Sequence, residues 1–183
     1  DTLVHLGAAP GNVLVKAQGY LTQPPLARRG SDLSAEDLRA WLSERSGLKA
    51  PRVVLGAGYA QIRKGTDLFI QTAAAVKKLD DNTVFLWVGE GYDPANDPAF
   101  SVYVKAMVER SGVADRMFFL GAQQRMDDIL AVADVFYMSS RLDPFPNVVI
   151  DAMNASLPVV CFDQGTGSAE IFADERAVGA VVP

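Results

Sequence analysis

From Arg52 onward the chain alternates apolar blocks with amphipathic ones. Six short runs are almost continuously apolar: Val53–Gly56, Thr83–Val88, Met117–Leu120, Val135–Met138, Pro158–Phe162 and Gly179–Val182. Runs of this length without polar alternation are what strands covered on both faces require. The segments between them carry helical periodicity. Thr66–Leu79 places Phe69, Ala73 and Val76 on one face, with Asp67 in its first turn and Lys77–Lys78 in its last. Those signs complement the helix dipole. A second segment begins at Asp97-Pro98, a cap followed by a proline at the first helical position, and stops at Gly112. A shorter one spans about Met126–Val132. Strands alternating with helices predict repeated βα units on a parallel sheet. The expected class is therefore α/β, a Rossmann-like doubly wound sheet with strand order 3-2-1-4-5-6.

Residues 1–50 read differently. Val13–Lys16 has the composition of a strand, and Gln23–Gly30 that of a Pro/Arg/Gly loop. Ser31–Gly47 predicts a helix, with Ser34 and Asp37 spaced as a capping pair and Gly47 as its stop. The chain has 183 residues, opens at Asp1 within a strand-like pattern and stops at Pro183 just after an apparent strand. It is expected to be a piece of a longer protein. Residues 1–50 would be the end of a preceding domain and a linker, and residues 51–183 one Rossmann-like domain. No fixed-period repeat and no low-complexity tract is visible.

Composition narrows the function classes. With 49% hydrophobic and 21% charged residues the chain suits a globular core. A net charge of −5 argues against a broad nucleic-acid-binding face. One cysteine, Cys161, excludes an internal disulfide and fits a reducing compartment, hence the cytoplasm. It lies in an apolar run and reads as a buried, inert thiol. One histidine, His5, and one cysteine do not make a conventional zinc site, and neither a metal nor another cofactor is expected. There is no run of 18 apolar residues and no signal peptide pattern. Peripheral attachment of the full-length protein to the inner face of a membrane stays open.

The stretch Ser139–Val160, SSRLDPFPNVVIDAMNASLPVV, holds the densest candidate chemistry. Asp143 and Asp151 stand with seven residues between them, and Pro144-Phe145-Pro146-Asn147 follows the first. The prolines keep a helix from starting earlier. Asn147 is a good N-cap, after which Val148, Val149 and Ile150 would present free backbone N–H groups, a ready anion site. Asp151 lies one turn on, on the same face. Such a site would grip a phosphate at the helix tip and hydroxyls with its acids. The plainer alternative is a turn aspartate and a solvated helix aspartate.

Ligands of open α/β sheets bind beyond the carboxyl ends of the strands, and the remaining motifs fall there. Gly56-Ala57-Gly58 ends the first strand and Arg63-Lys64-Gly65 follows, where two cations suit a pyrophosphate or are simply solvated. Gly89-Glu90-Gly91 ends the second strand and Gly121-Ala122 the third. Gly165-Thr166-Gly167-Ser168 precedes a short helix containing Glu170, and this loop is placed to close over a ligand. Asp127 and Asp128 open a helix and read as dipole-compensating residues. A dinucleotide-binding oxidoreductase is the weaker alternative. Gln61 stands where the third glycine of its fingerprint belongs, and Glu90 lies 32 positions beyond Gly58 where about 20 is usual.

Taken together, Gly56–Gly65 (GAGYAQIRKG), Val88–Gly91 (VGEG), Phe119–Ala122 (FLGA), Asp143 to Asp151 and Gly165–Ile171 (GTGSAEI) resemble the GT-B retaining glycosyltransferases of the group-1 type. Their usual string is S-x-x-E-P-F-x-x-V-x-x-E-A-M-x-x-G-x-P-V-V. This chain has Asp at both acidic positions and Ser156 in place of the glycine. The resemblance runs from about Arg52 to Pro183 and implies the donor-binding, C-terminal half of a GT-B fold. It implies transfer of a sugar from a nucleoside diphosphate such as UDP or GDP, with no metal. The acceptor, a glycan or lipid-linked molecule, would be held by the N-terminal domain. By resemblance, Asp143 contacts the sugar and Asp151 the ribose. Arg63, Lys64 and the helix tip at Asn147, Val148 and Val149 stabilise the departing diphosphate. Lys64-Gly65 matches the family's Lys-Gly step. The family's arginine often sits where this chain has Gly58, so Arg63 is the candidate to replace it. Backbone near Gly121 and Ala122 meets the base, while Gly89, Glu90, Gly165, Gly167 and Glu170 line the donor site. The isolated chain would be inactive without its acceptor half. A nucleotide-binding module without turnover is the other reading.

Overall fold

A computed structural model describes residues 2–14, 34–172 and 179–183. Six parallel strands form one sheet in the order β3-β2-β1-β4-β5-β6. They are β1 (Arg52–Ala57), β2 (Thr83–Val88), β3 (Met117–Phe119), β4 (Val135–Met138), β5 (Val159–Phe162) and β6 (Gly179–Val182). The helices are α1 (Thr2–His5), α2 (Ala35–Ser46), α3 (Thr66–Lys77), α4 (Phe100–Arg110), α5 (Met126–Leu130), α6 (Asn147–Asn154) and α7 (Ala169–Phe172). The doubly wound order expected from the alternation is the order observed. Among the described residues no helix is long and apolar enough to cross a membrane.

The continuous apolar runs are explained by two cores, one on each face of the sheet. On β2 every residue is buried. Val84, Leu86 and Val88 join a cluster with Leu55, Phe136, Ile129, Val149 and the α2 residues Leu38 and Leu42. Phe85 and Trp87 point the other way, to Phe69, Ile70 and Ala73 of α3 and Val104 of α4. Phe69 is the hub of that second core. It meets Phe85 and Trp87 edge-on, with centroids 5.2 and 5.1 Å away, and stacks on Tyr137 at 5.7 Å. Such pairs add about 0.5–1.5 kcal/mol each beyond their area burial.

Helix α2 has the capping box its sequence suggests. The Asp37 N–H donates to Ser34 Oγ at 3.1 Å, and the Ser34 N–H donates back to the Asp37 carboxylate at 3.2 Å. Gly47 ends the helix in the left-handed region. The helix packs on the sheet: Trp41 meets Phe118 edge-on, and the Arg39 and Arg116 guanidiniums donate to the Ala131 and Ser46 carbonyls.

Several sequence expectations shift. α4 starts at Phe100, two residues later than the Pro98 start its Asp-Pro signal suggests. The Asp97 carboxylate accepts from the Ala99 N–H at 3.1 Å and from the Tyr59 hydroxyl, so it holds a turn to the neighbouring loop and does not cap a helix. α3 and α5 stop at Lys77 and Leu130, two residues short of the expected ends. Val13 and Leu14 lie outside any strand. Val15 and Lys16, the Gln23–Gly30 loop and residues 31–33 fall outside the described residues.

Candidate functional site

The carboxyl ends of β1 and β4 bring together the two segments that carry most of the expected chemistry. After β1 the chain makes a 3-10 turn, Ile62–Lys64, and Gly65 then opens α3 with φ of +67°. A Cβ on Gly65 would overlap the carbonyl oxygen of Ser139, so glycine alone lets the turn lie against the segment leaving β4. That segment answers the turn bond for bond. Ser139 Oγ donates to the Lys64 carbonyl (3.1 Å), the Arg141 N–H to the Arg63 carbonyl (2.9 Å) and Arg141 Nη1 to the Ile62 carbonyl (2.8 Å). Arg63 Nη1 returns a bond to the Leu142 carbonyl at 3.1 Å.

Lys64 and Asp143 meet as an ion pair in a narrow recess whose walls include Trp87, Tyr137, Pro146 and Val148. Asp143 is 8% exposed. Arg63 reaches the same carboxylate oxygen only at 4.0 Å and is far more exposed. The sequence-predicted cations and first acid therefore share one place, with the start of α6 beside them. The Asp143 backbone continues the organisation: its N–H donates to the Gly165 carbonyl and the Gly167 N–H donates to Pro144, each at 2.9 Å. The Gly165–Gly167 loop is thus strapped to the Asp-Pro turn. Glu170 is exposed in the first turn of α7.

The α6 terminus differs from expectation by one residue. Pro146 is the N-cap and Asn147 the first helical residue, because Pro146, fixed near φ of −75° and extended, is where the chain turns into the helix. The Val149 N–H is not free; it donates to the Pro146 carbonyl at 3.1 Å, and the Val149 side chain is buried. Asp151 is partly buried and faces a groove between α5 and α6, bordered by Asp127, Leu130, Asn154 and Ala155. It does not share the recess that holds Asp143 and Lys64.

A separate polar cleft opens at the ends of β1, β2 and β3. Glu90, Gly121 and Ala122 line it with Tyr59, Tyr92, Asp93, Asn96 and Asp97. The strand ends are pinned by Gly89 N–H to the Gly121 carbonyl and Gly58 N–H to the Val88 carbonyl, both 2.8 Å. Gly89 has φ of +136°, and a Cβ there would strike the Gly58 carbonyl. Tyr92 stacks on Phe119 with centroids 5.0 Å apart, forming one wall. The hydrogen bond to Asp97, more than burial or the field of that carboxylate, raises the pKa of the Tyr59 phenol. The turn of a dinucleotide fingerprint is not formed, since α3 begins at Thr66 after an intervening 3-10 turn.

Sequence reasoning missed Arg141 and gave Asp67 only a dipole role. They form a two-pronged ion pair, Nη1 and Nη2 each 2.6 Å from a carboxylate oxygen. Burial alone would raise the Asp67 pKa; the hydrogen bonds and charge of Arg141, with backbone N–H groups, more than reverse it and lower it overall. The available signal was an arginine inside the Ser139–Asp143 string, two residues before the acid.

Among curated relatives, the lipopolysaccharide core biosynthesis mannosyltransferase LpsB of Rhizobium meliloti is 27% identical over 125 residues, covering 68% of this chain and 35% of that protein. The corresponding LpcC of Rhizobium leguminosarum is 30% identical over 137 residues, covering 75% and 38%. The fold matches Anabaena HepE in complex with UDP-glucose (TM-score 0.64, 21% identity, 78% of this chain and 38% of that one). It also matches WaaG, a glycosyltransferase involved in lipopolysaccharide biosynthesis (TM-score 0.61, 24% identity, 81% and 39%). The chain spans little more than a third of the length of each of these proteins. The model of the family described as glycosyl transferases group 1 matches residues 51–183, the whole of the sheet with its site, and the chain belongs to that family.

Proposed function

We propose that this chain is the donor-binding part of a retaining glycosyltransferase. It would hold a nucleoside diphosphate sugar while another domain presents a glycan or lipid-linked acceptor. The observation that carries the reading is the meeting of Lys64 and Asp143 beside the start of α6, at the carboxyl edge of a doubly wound sheet. A diphosphate leaving from the sugar needs cations and N–H donors already in place, and such preorganised charge is the largest catalytic term in many enzymes. Lys64 and Arg63 supply the charge, and the first N–H groups of α6 supply donors. In this reading Asp143 takes the sugar hydroxyls once Lys64 turns to phosphate. The departing phosphate takes the acceptor proton, so no protein nucleophile enters the scheme. Asp151, in its own groove, takes the ribose hydroxyls, and the cleft at Gly121 and Ala122 takes the base.

HepE, a neighbour in fold, is described with UDP-glucose, and LpsB and LpcC as lipopolysaccharide mannosyltransferases. Each description is compatible with a nucleoside diphosphate sugar here. The test is calorimetric titration of the protein with UDP, GDP, ADP and TDP and with the parent nucleosides. One diphosphate should bind selectively, Lys64→Ala should weaken it more than its nucleoside, and Asp151→Ala should weaken both. Equal binding of diphosphate and nucleoside by the unmodified protein would refute the reading.

A further inference from the structure

We propose that Arg141 is a positioning residue of the donor site, one that fixes the Arg63–Lys64 turn where its cations meet a diphosphate. The inference rests on reading that turn as the diphosphate-binding element. Asp67 and Asp143 are the buried charged residues of the described structure. Each is answered by a close cation across the same seam, with Arg63 a more distant second partner of Asp143. Lys64 reaches from the turn to Asp143 in the loop after β4, and Arg141 reaches from that loop back to Asp67 at the start of α3.

Arg141 does more than neutralise a carboxylate. Its Nη1, 2.6 Å from Asp67, also donates to the Ile62 carbonyl at 2.8 Å, and its backbone N–H donates to the Arg63 carbonyl at 2.9 Å. One planar guanidinium thereby ties the first residue of the 3-10 turn to the first turn of α3. A lysine offers a single mobile charge and does not reproduce this fork. The three consecutive carbonyls of the turn, at Ile62, Arg63 and Lys64, all accept from the β4 loop, and Arg141 supplies two of those bonds. A structural ion pair alone would need only the contacts to Asp67. The added bond to Ile62 sets the height of the turn over the sheet, and with it the reach of Lys64 and Arg63. Ion pair and carbonyl bond together make Arg141 act on the ligand through the turn and not by contact.

The experiment uses the full-length protein in unmodified, Arg141→Lys and Arg141→Ala forms. Each is titrated calorimetrically with UDP, GDP, uridine and guanosine, and its thermal midpoint is measured. Both variants should lose about tenfold of the preference for diphosphate over nucleoside, with nucleoside affinity unchanged. A variant with a lowered midpoint but an unaltered preference would make Arg141 merely structural and overturn the proposal. If neither variant folds, Asp67→Asn, which keeps the side chain's shape and loses its charge, must show the same loss of preference. An unmodified protein that prefers no diphosphate would instead bring down the donor-site reading, and this inference with it.

Discussion

Replacing Lys64 by methionine keeps the aliphatic stem in its recess and removes the charge. Asp143 is then left 8% exposed with only Arg63, 4.0 Å away, as a cation. Removing one partner of a fully buried pair costs about 3–5 kcal/mol. The Lys64 and Asp143 side chains are 16% and 10% exposed, so some water reaches them, and about 2–3 kcal/mol is the fitting figure. For a chain of this size that lowers the thermal midpoint by about 5–10 °C. Asp143→Asn should cost less, about 1 kcal/mol, because the flexible lysine finds water or phosphate once its partner is neutral. The two substitutions therefore agree in sign on stability. On ligand binding they should differ. Lys64 is engaged by Asp143, and a diphosphate must draw it away. Lys64→Met should weaken UDP or GDP about tenfold, and Asp143→Asn should tighten the same nucleotide by up to about tenfold, the scale of one charged hydrogen bond. Scanning fluorimetry gives the first pair of values and calorimetry the second. If both variants weaken the diphosphate, Asp143 orients Lys64 and does not compete for it, and the reasoning fails.

Ser156 ends α6 with φ of +59°, and Leu157 N–H bonds back to the Ala152 carbonyl at 2.9 Å in a helix-terminating pattern that favours glycine. Ser156→Gly should stabilise the protein by about 0.5–1 kcal/mol in urea unfolding, the left-handed penalty outweighing the added chain entropy; a loss of stability would contradict this. Gly65→Ala should cost more than about 2 kcal/mol and abolish diphosphate binding, since its methyl group falls on the Ser139 carbonyl. A well-folded variant with normal binding would show that the turn can move freely. The depressed Asp67 pKa sets a pH window. A carboxylate lowered on folding contributes stability that is complete above its ordinary value of 3.8 and is lost as pH falls through the lower folded value. The stability gap between the unmodified protein and Arg141→Ala, read from urea titrations, should stay constant from neutral pH to about 5 and shrink below 3.8. A gap unchanged at pH 3 would count against the pair.

The sheet was legible because its central strands are buried on both faces and so lack any competing periodicity; all six strands begin and end within one residue of expectation. Helix ends were less legible where a side chain had a distant partner. Asp97 looks like a cap, but Tyr59, 38 residues earlier, claims its carboxylate. At the site, Lys64 and Asp143 were each recognisable from local spacing. Their ion pair, and the Arg141–Asp67 pair beside it, were not, because both depend on the adjacency of β1 and β4. Asp151 illustrates the reverse: the one-turn spacing from Asn147 was correct, yet the residue faces a separate groove between α5 and α6.

The seam between the turn and the β4 loop joins residues 75 to 79 positions apart along the chain. Bringing such distant segments together costs loop-closure entropy before any of their bonds are made. β1, α3 and β2 can associate early as neighbours, but the lysine gains its carboxylate only when β4 inserts at the other side of β1. Ligand competence is therefore a property of the finished sheet and of no smaller piece of it. In refolding, recovery of diphosphate binding would time the docking of β4, while far-ultraviolet signals would already report the helices.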